Sequence, residues 1–333
     1  GCGRGGGAWP RAPRDRGQGL DVSAALLAAT LLLIAYAQVW MSAAVPPTGA
    51  TIEAGARGLD RSGSADAGVT ETLLAGYIGA PFYYRSDVHL MRPGRTDATF
   101  ERLGWDGDAL HFPIDGGVRA VRWGASMGYM VDFLHNKAVA RLGKGAHGRM
   151  LSNPVVEEVA VRGTLAGQPA PARVKLTDVF ERLEFTHGHN MLFLTPMVRL
   201  WSLAPGVRPY FGVGAGLALP HVEVWFPGEK PDERTNEYQY AGPAWQLVAG
   251  LEFRSGRGSS FVEYKFSYAW ITAALTGDRS WKNFNMPGDV LRQLMRWWTG
   301  APPKHGRLST TLAAHQIVVG GGYWWRRGAA ASP

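Results

Sequence analysis

From Thr70 onward, apolar and polar residues alternate along much of the chain. Successive side chains of a β-strand point to opposite faces, so this pattern gives each strand one apolar and one polar face. In Phe261–Tyr268, Val262, Tyr264, Phe266 and Tyr268 share one face, and Glu263, Lys265 and Ser267 share the other. Phe211, Val213, Ala215, Leu217 and Leu219 alternate with Tyr210, Gly212, Gly214 and Gly216. Leu247, Ala249, Leu251 and Phe253 alternate with Gln246, Val248, Gly250, Glu252 and Arg254. Eight strands are expected, at 70–82, 114–125, 127–140, 183–201, 208–226, 238–255, 259–275 and 308–325.

The connections near 126, 202–207 and 256–258 are short, whereas those at 83–113, 141–182, 227–237 and 276–307 are long. An even number of strands with alternating short and long connections predicts an all-β fold. It is an eight-stranded antiparallel up-and-down transmembrane β-barrel with short periplasmic turns and long extracellular loops. The apolar faces then meet lipid and the charges pair in the lumen, where Asp132 is expected to join Arg254, Glu252, Glu263 and Lys265. A soluble lipocalin-like barrel is the alternative, but it predicts much shorter loops. The loop at 276–307 contains a helical pattern at 290–298, with Val290, Leu291, Leu294 and Trp298 at helical spacing and Arg292 and Arg296 between them. It reads either as an amphipathic helix at the outer interface or as a lid across the barrel mouth.

Composition changes this picture little. A mean hydropathy of −0.12 is compatible with a membrane barrel, because lumenal and lipid-facing residues average out. The 44 glycines and 13 tryptophans suit tight curvature and membrane interfaces. The first residues differ. Arg4, Arg11, Arg14 and Arg16 precede a short apolar run, Val22–Ala37, which ends in a small-residue cleavage pattern at Ala35–Ala37, with a second candidate at Ser42–Ala44. Residues 1–44 are therefore expected to be a signal peptide (or a leader or anchor), 45–69 a flexible linker, 70–325 the barrel and 326–333 a C-terminal tail. The single cysteine, Cys2, lies in the export segment. The net charge of +8 is not organised as a nucleic-acid module, and it fits an anionic lipopolysaccharide surface better. No phosphate-binding glycine loop follows a parallel strand, and no cysteine metal motif is present.

Candidate chemistry concentrates on one hairpin. His187-Gly188-His189 would direct two imidazoles to one strand face. The next strand carries His221-Val222-Glu223, and antiparallel pairing sets residue 187 opposite about 222 and 189 opposite about 220. His187, His189, His221 and Glu223 would then cluster at the extracellular end, as transition-metal ligands, as general acid and base, or as hydrogen-bonded rim residues. Strict alternation puts His221 on the outward face, unless Pro220 marks a bulge that resets the register. Asp87, His89, Asp97, Trp105, Asp106, His135 and the Glu237–Tyr240 stretch approach the same rim. Glu229, Asp232 and Glu233 read as a solvated loop tip, and His315 has no decidable face.

Several stretches carry a resemblance: Tyr84–His89, Gly104–Gly107, Leu183–Asn190, Glu237–Pro243, Phe261–Phe266 and Ser309–Gln316. Over roughly 72–325 the chain resembles the outer-membrane lipid A oxidases of rhizobia and related alphaproteobacteria. The resemblance implies oxidation of the proximal glucosamine of 1-dephosphorylated lipid A to 2-aminogluconate. Molecular oxygen would be the co-substrate and peroxide the by-product. It departs in the tail and in the second loop, including Leu151–Ala160. Oxygen reacts slowly with closed-shell substrates, so a redox-active transition metal is the economical cofactor, with His187, His189, His221 and Glu223 as the expected ligands. His187 and His189 are then expected at the reacting centre, with Asp132 or Glu184 taking the sugar proton. Arg85, Arg92, Arg141, Lys144 and Arg292 are expected to grip phosphate or acidic sugars. The implied partners are lipid A or lipopolysaccharide and outer-membrane lipid, with a monomeric barrel and no nucleic acid.

Two rival functions remain at this point: a non-enzymatic, adhesin-like surface barrel, and another lipid A enzyme such as a deacylase. The barrel deacylases use a His-x-Ser pair, which is absent from this sequence. A solute channel fits least, because side chains fill an eight-stranded lumen.

Overall fold

The computed structural model describes residues 70–280 and 285–327. The export segment and linker expected over 1–69, and the tail from 328, lie outside the described residues. Eight long strands form the barrel: β1 (Thr70–Tyr83), β5 (Gly116–Trp123), β6 (Met127–Ala140), β10 (Arg182–Arg199), β11 (Val207–Ala218), β14 (Gly242–Ser255), β15 (Gly258–Leu275) and β16 (Gly306–Arg327). Each pairs antiparallel with the next, and β16 pairs back onto β1 from Thr70↔Arg327 to Tyr83↔Ala314. The hydrogen-bonded order thus returns to its start, leaving no free edge around the ring. Strand β16 continues to Arg327, two residues past the expected boundary at 325.

Alternation sorts the side chains as the sequence pattern requires. Leu74, Ile78, Val118, Leu194, Val213 and Leu217 are exposed on the outside, whereas Asp132, Lys265, Glu263, Thr195 and Gln246 are fully buried in the lumen. This apolar outside over a polar interior is the arrangement of an outer-membrane β-barrel. The lumenal charges form two layers. In the middle layer, Asp132 pairs with Lys265 and accepts a hydrogen bond from Tyr77 Oη at 2.7 Å. In the same layer Arg119 reaches Glu263 at 2.7 Å. Nearer the short turns, Arg199 meets Glu252 at 3.2 Å and Arg254 meets Glu71 at 2.7 Å. Glu252 and Arg254 therefore belong to a separate layer from Asp132, correcting the single network expected. Gly214 makes room for the middle layer: a Cβ there would collide with Thr195 Oγ1, which accepts a hydrogen bond from Gln246 at 2.8 Å.

The long loops are more ordered than their lengths suggested. They contribute β2 (Ser86–Arg92), β3 (Thr96–Leu103), β4 (Trp105–Asp106), β7 (Glu158–Leu165), β8 (Gln168–Pro169), β9 (Arg173–Lys175), β12 (His221–Trp225) and β13 (Thr235–Tyr238). A short 3-10 turn, Ala146–Gly148, a single helical turn, Leu176–Val179, and the helix α1 (Met286–Trp298) are added to these. Strand β2 pairs with the part of β16 that rises beyond the barrel, and β3 and β7 follow beside it. Their inward residues Val88, Leu90, Phe100 and Val161 are buried with Leu176 and Phe180 in an apolar core above the lumen. Phe180 links Phe100 and Phe226 in that core, with ring centroids 5.4 and 5.6 Å apart.

Candidate active site

The expected strand at 208–226 breaks after Ala218, and a separate strand, β12, begins at His221. Pro220 sits in the break, where it needs no ladder hydrogen bond. Strand β12 pairs with the part of β10 that rises above β11, with Glu184 opposite Glu223. The break releases His221 from the outward face, and its side chain is buried with Nδ1 3.2 Å from Glu223 Oε1.

A second irregularity separates the two histidines of β10. The register between β10 and β6 shifts between Phe185 and His189, and Gly188 has φ +125°. Only glycine adopts that conformation readily, and a Cβ there would strike the Asn190 side chain. The bulge cancels the i, i+2 relationship. His187 Nδ1 donates to Glu223 Oε1 at 2.6 Å, whereas His189 Nδ1 lies 3.2 Å from Tyr83 Oη. His189 is therefore corrected out of the expected metal set, although its Nε2 is buried without a hydrogen-bond partner.

Another imidazole takes its place. His147 lies in the second loop, in a tight turn at φ +57°. Asp108 anchors the turn, accepting from Ala146 N at 3.1 Å and from Arg149 at 2.6 Å. Bulky residues at positive φ are uncommon and cluster at functional sites. The rings of His147 and His187 are 4.3 Å apart, and one donor atom each from His147, His187 and Glu223 lies within 4.8 Å of the others. Two imidazoles and a carboxylate form a donor set that fits a divalent transition metal. The buried, unpartnered Nε2 of His221, whose ring lies 4.7 Å from that of His187, adds a further nitrogen beside it.

Around this group every polar atom of Glu223 is engaged. Oε1 accepts from His187, His221 and Thr186 Oγ1, and Oε2 accepts from Arg182 at 2.6 Å. Burial alone would raise the Glu223 carboxyl, but the hydrogen bonds from His187 and His221 outweigh it and hold the group well below its usual range. Glu184, opposite it in register, is pushed up by burial and by the neighbouring Glu223 charge. Burial, reinforced by His187, brings His147 down to about 4, so its imidazole is neutral and free to ligate near pH 7. Two carboxylates side by side thus prefer opposite protonation states, a pattern typical of acid–base pairs.

The remaining expected residues are dispersed. Asp132 pairs opposite Phe193, roughly 20 Å along β10 from His187 at ordinary strand rise, and is corrected from base to lumenal ion-pair member. Four of the five expected cationic grips cross-link the extracellular layer. Arg85 meets Glu157 at 2.6 Å, Arg92 meets Glu229 at 2.7 Å, Arg141 meets Asp106 at 3.0 Å, and Arg292 of the helix meets Glu237 of β13 at 3.3 Å. Glu229 is accordingly a buried partner of Arg92 rather than part of a solvated tip. Lys144 is exposed in the loop that carries His147. His315 points outward, its ring nitrogens engaged by Tyr84 and Tyr264.

No protein-family model and no curated protein matches the chain. Among solved structures, the chain is similar to the outer membrane protein OprG from Pseudomonas aeruginosa (10% identity, covering 78% of this chain and 97% of OprG, TM-score 0.36). It is also similar to Neisserial surface protein A, NspA (8% identity, covering 76% and 96% of the two chains, TM-score 0.28). Likeness at this level says nothing about activity.

Proposed function

We propose that this barrel is an oxygen-dependent lipid A oxidase, converting the proximal glucosamine of 1-dephosphorylated lipid A to 2-aminogluconate at the outer face of the bacterial outer membrane. The observation that carries the reading is the convergence of His147, His187 and Glu223 above the lipid-facing belt. Two histidines and one carboxylate with open positions suit a redox-active metal such as iron(II). Such an ion, when bound, supplies the one-electron chemistry through which molecular oxygen attacks a closed-shell sugar. The reaction removes two electrons and two protons, one from the C–H of the hemiacetal carbon and one from its hydroxyl, and passes them to oxygen as hydrogen peroxide. Water then opens the lactone to the acid.

The chain's own residues have separable tasks in this reading. Arg182 and Thr186 fix the Glu223 carboxylate, and Tyr238 Oη holds the His187 carbonyl at 2.9 Å. Glu184, kept protonated by burial and by the Glu223 charge, is the group to give a proton to the reduced oxygen and to regain one from the sugar hydroxyl; it lies 3.1 Å from Thr186 Oγ1. Lys144, exposed in the loop that carries His147, is suited to a phosphate on the distal sugar. A second reading, a non-enzymatic surface barrel, draws support from the same Glu223. A carboxylate with four hydrogen-bond donors also makes a structural knot.

The test is to incubate the purified, detergent-folded barrel and iron(II) with 1-dephosphorylated lipid A, with and without oxygen, and to weigh the lipid by mass spectrometry. A gain of one oxygen atom only in the presence of oxygen, lost in His187→Ala and His147→Ala, is the expected result. Unchanged lipid with a folded, metal-loaded barrel would favour the surface-structural reading.

A further inference from the structure

Helix α1 is oriented against the usual rule. Its fully buried residues are polar: Asp289 is 0% exposed and Gln293 4%, while Leu291 is 60% exposed, Leu294 50% and Trp298 89%. The buried face is specific. Asp289 Oδ2 accepts from Tyr238 N at 3.0 Å, and Gln293 makes a two-way pair with Tyr240, accepting from its N at 2.8 Å and donating to its O at 2.9 Å. Arg296 bridges to Glu237 at 2.9 Å and to Asp278 at 2.7 Å. The helix is therefore docked by side chain-to-backbone hydrogen bonds, with its apolar stripe left outside.

A stripe of this kind in water would be a liability, since large exposed apolar patches mark interaction surfaces. The structure also indicates what covers it. Trp297 packs edge-on to Tyr240 at 6.0 Å, and the adjoining Ala241 accepts from Thr272 N at 2.7 Å, two residues along β15 from Trp270, which is 46% exposed and 4.7 Å from Tyr268. Tyr268 in turn stacks with Trp245 at 6.1 Å. These aromatics on β14 and β15 lie on the barrel's outer face, in the position of an interfacial girdle. The apolar face of α1 is thus continuous with the surface the barrel already presents to lipid.

We propose that α1 is seated in the outer leaflet, with Leu291, Leu294, Met295, Trp297 and Trp298 among acyl chains and its polar face clamping β13. Polar residues turn toward protein and apolar residues toward the solvent because the solvent there is lipid. The inference stands on this geometry and does not rest on the proposed reaction. It nevertheless has a bearing on that site: β13 carries Tyr238, whose hydroxyl holds the His187 carbonyl and whose ring lies 4.5 Å from that of His221.

Site-directed spin labelling tests it. In the full chain with Cys2→Ser, nitroxides are attached at Leu294→Cys, at Val213→Cys as a lipid-facing reference and at Asp232→Cys as a water-facing reference. The labelled proteins are folded into phosphatidylethanolamine–phosphatidylglycerol vesicles. At Leu294→Cys, the ratio of collisions with oxygen to collisions with a water-soluble nickel chelate is expected to be severalfold above that at Asp232→Cys and to approach that at Val213→Cys. A ratio equal to that at Asp232→Cys places the helix in water and overturns the proposal. Low accessibility to both reagents with dipolar broadening reveals a second copy on this face, and also overturns it. Trp298→Cys provides the same readout at the helix end if Leu294→Cys fails to give the heat-modifiable folded band.

Discussion

The barrel and the extracellular layer above it are built by opposite rules from one continuous sheet. Below, charges and tyrosines fill the interior and aliphatic residues face outward. Above, Phe100, Phe180, Val88 and Leu176 fill an apolar core, ion pairs such as Arg141–Asp106 lie at the periphery, and the buried polar group around Glu223 is set apart for the site. Strand β16 passes through both, pairing with β1 in the barrel and with β2 beyond it. What reverses is the medium, from lipid to water, since burial in each is driven by what the surroundings will not dissolve. Helix α1 belongs to the upper layer by position but follows the lower rule, which makes it the informative exception.

Four single substitutions and one double replacement would sharpen or break this contrast. The largest effect is expected in the lumen. Asp132→Ala removes the closest partner of the buried Lys265, leaving it Tyr77 at 3.2 Å and Glu263 at 3.9 Å, and should destabilise the barrel by about 4 kcal/mol, read by urea unfolding in vesicles. Replacing both partners together, Asp132→Leu with Lys265→Met, should recover most of that loss, and failure to recover would show that the polar interior is more than a charge balance. In the upper layer, Phe100→Ala should cost about 3 kcal/mol by leaving a cavity in an apolar core. Limited proteolysis should then cut the long loops while the heat-modifiable barrel persists; loss of both together would mean that the two layers fold as one unit. Gly188→Ala forces a side chain into a positive-φ position occupied by Asn190 and should cost about 2 kcal/mol of local strain. By displacing His187 it should also weaken iron(II) binding roughly tenfold, measured by calorimetry. The smallest effect belongs to an exposed pair: Arg173→Ala, which removes the contact with Glu158, should change stability by at most about 0.5 kcal/mol.

How much of this is legible in the sequence follows from the same contrast. Seven of the eight barrel strands are found within a few residues of their expected spans, and the fifth, expected over 208–226, keeps its barrel part to Ala218, because lipid enforces strict alternation there. The upper layer has no such signal. Its strands are short, its pairing joins distant segments such as β3 with β7, and its ion pairs link residues as far apart as Arg92 and Glu229. The hairpin holding His187 and Glu223 is readable from antiparallel register alone, and Pro220 marks the break that brings His221 in. His189 misleads because Gly188 interrupts the period by one residue. His147 leaves no periodic trace at all; it is one of nine histidines, set in a loop, and only the folded loop brings it beside His187.

The return of β16 onto β1 has a consequence in time. The strand that completes the ring is the last of the described chain to emerge, and it also carries the attachment of β2 and hence of the layer above. Pairing over such sequence separations is slow, because loop closure must precede any gain in contacts. Until β16 arrives, neither the ring nor the layer above it has its closing partner. Completion of the last strand is therefore the step that commits both, and a chain truncated before Gly306 should remain an open, assembly-dependent intermediate rather than a smaller barrel.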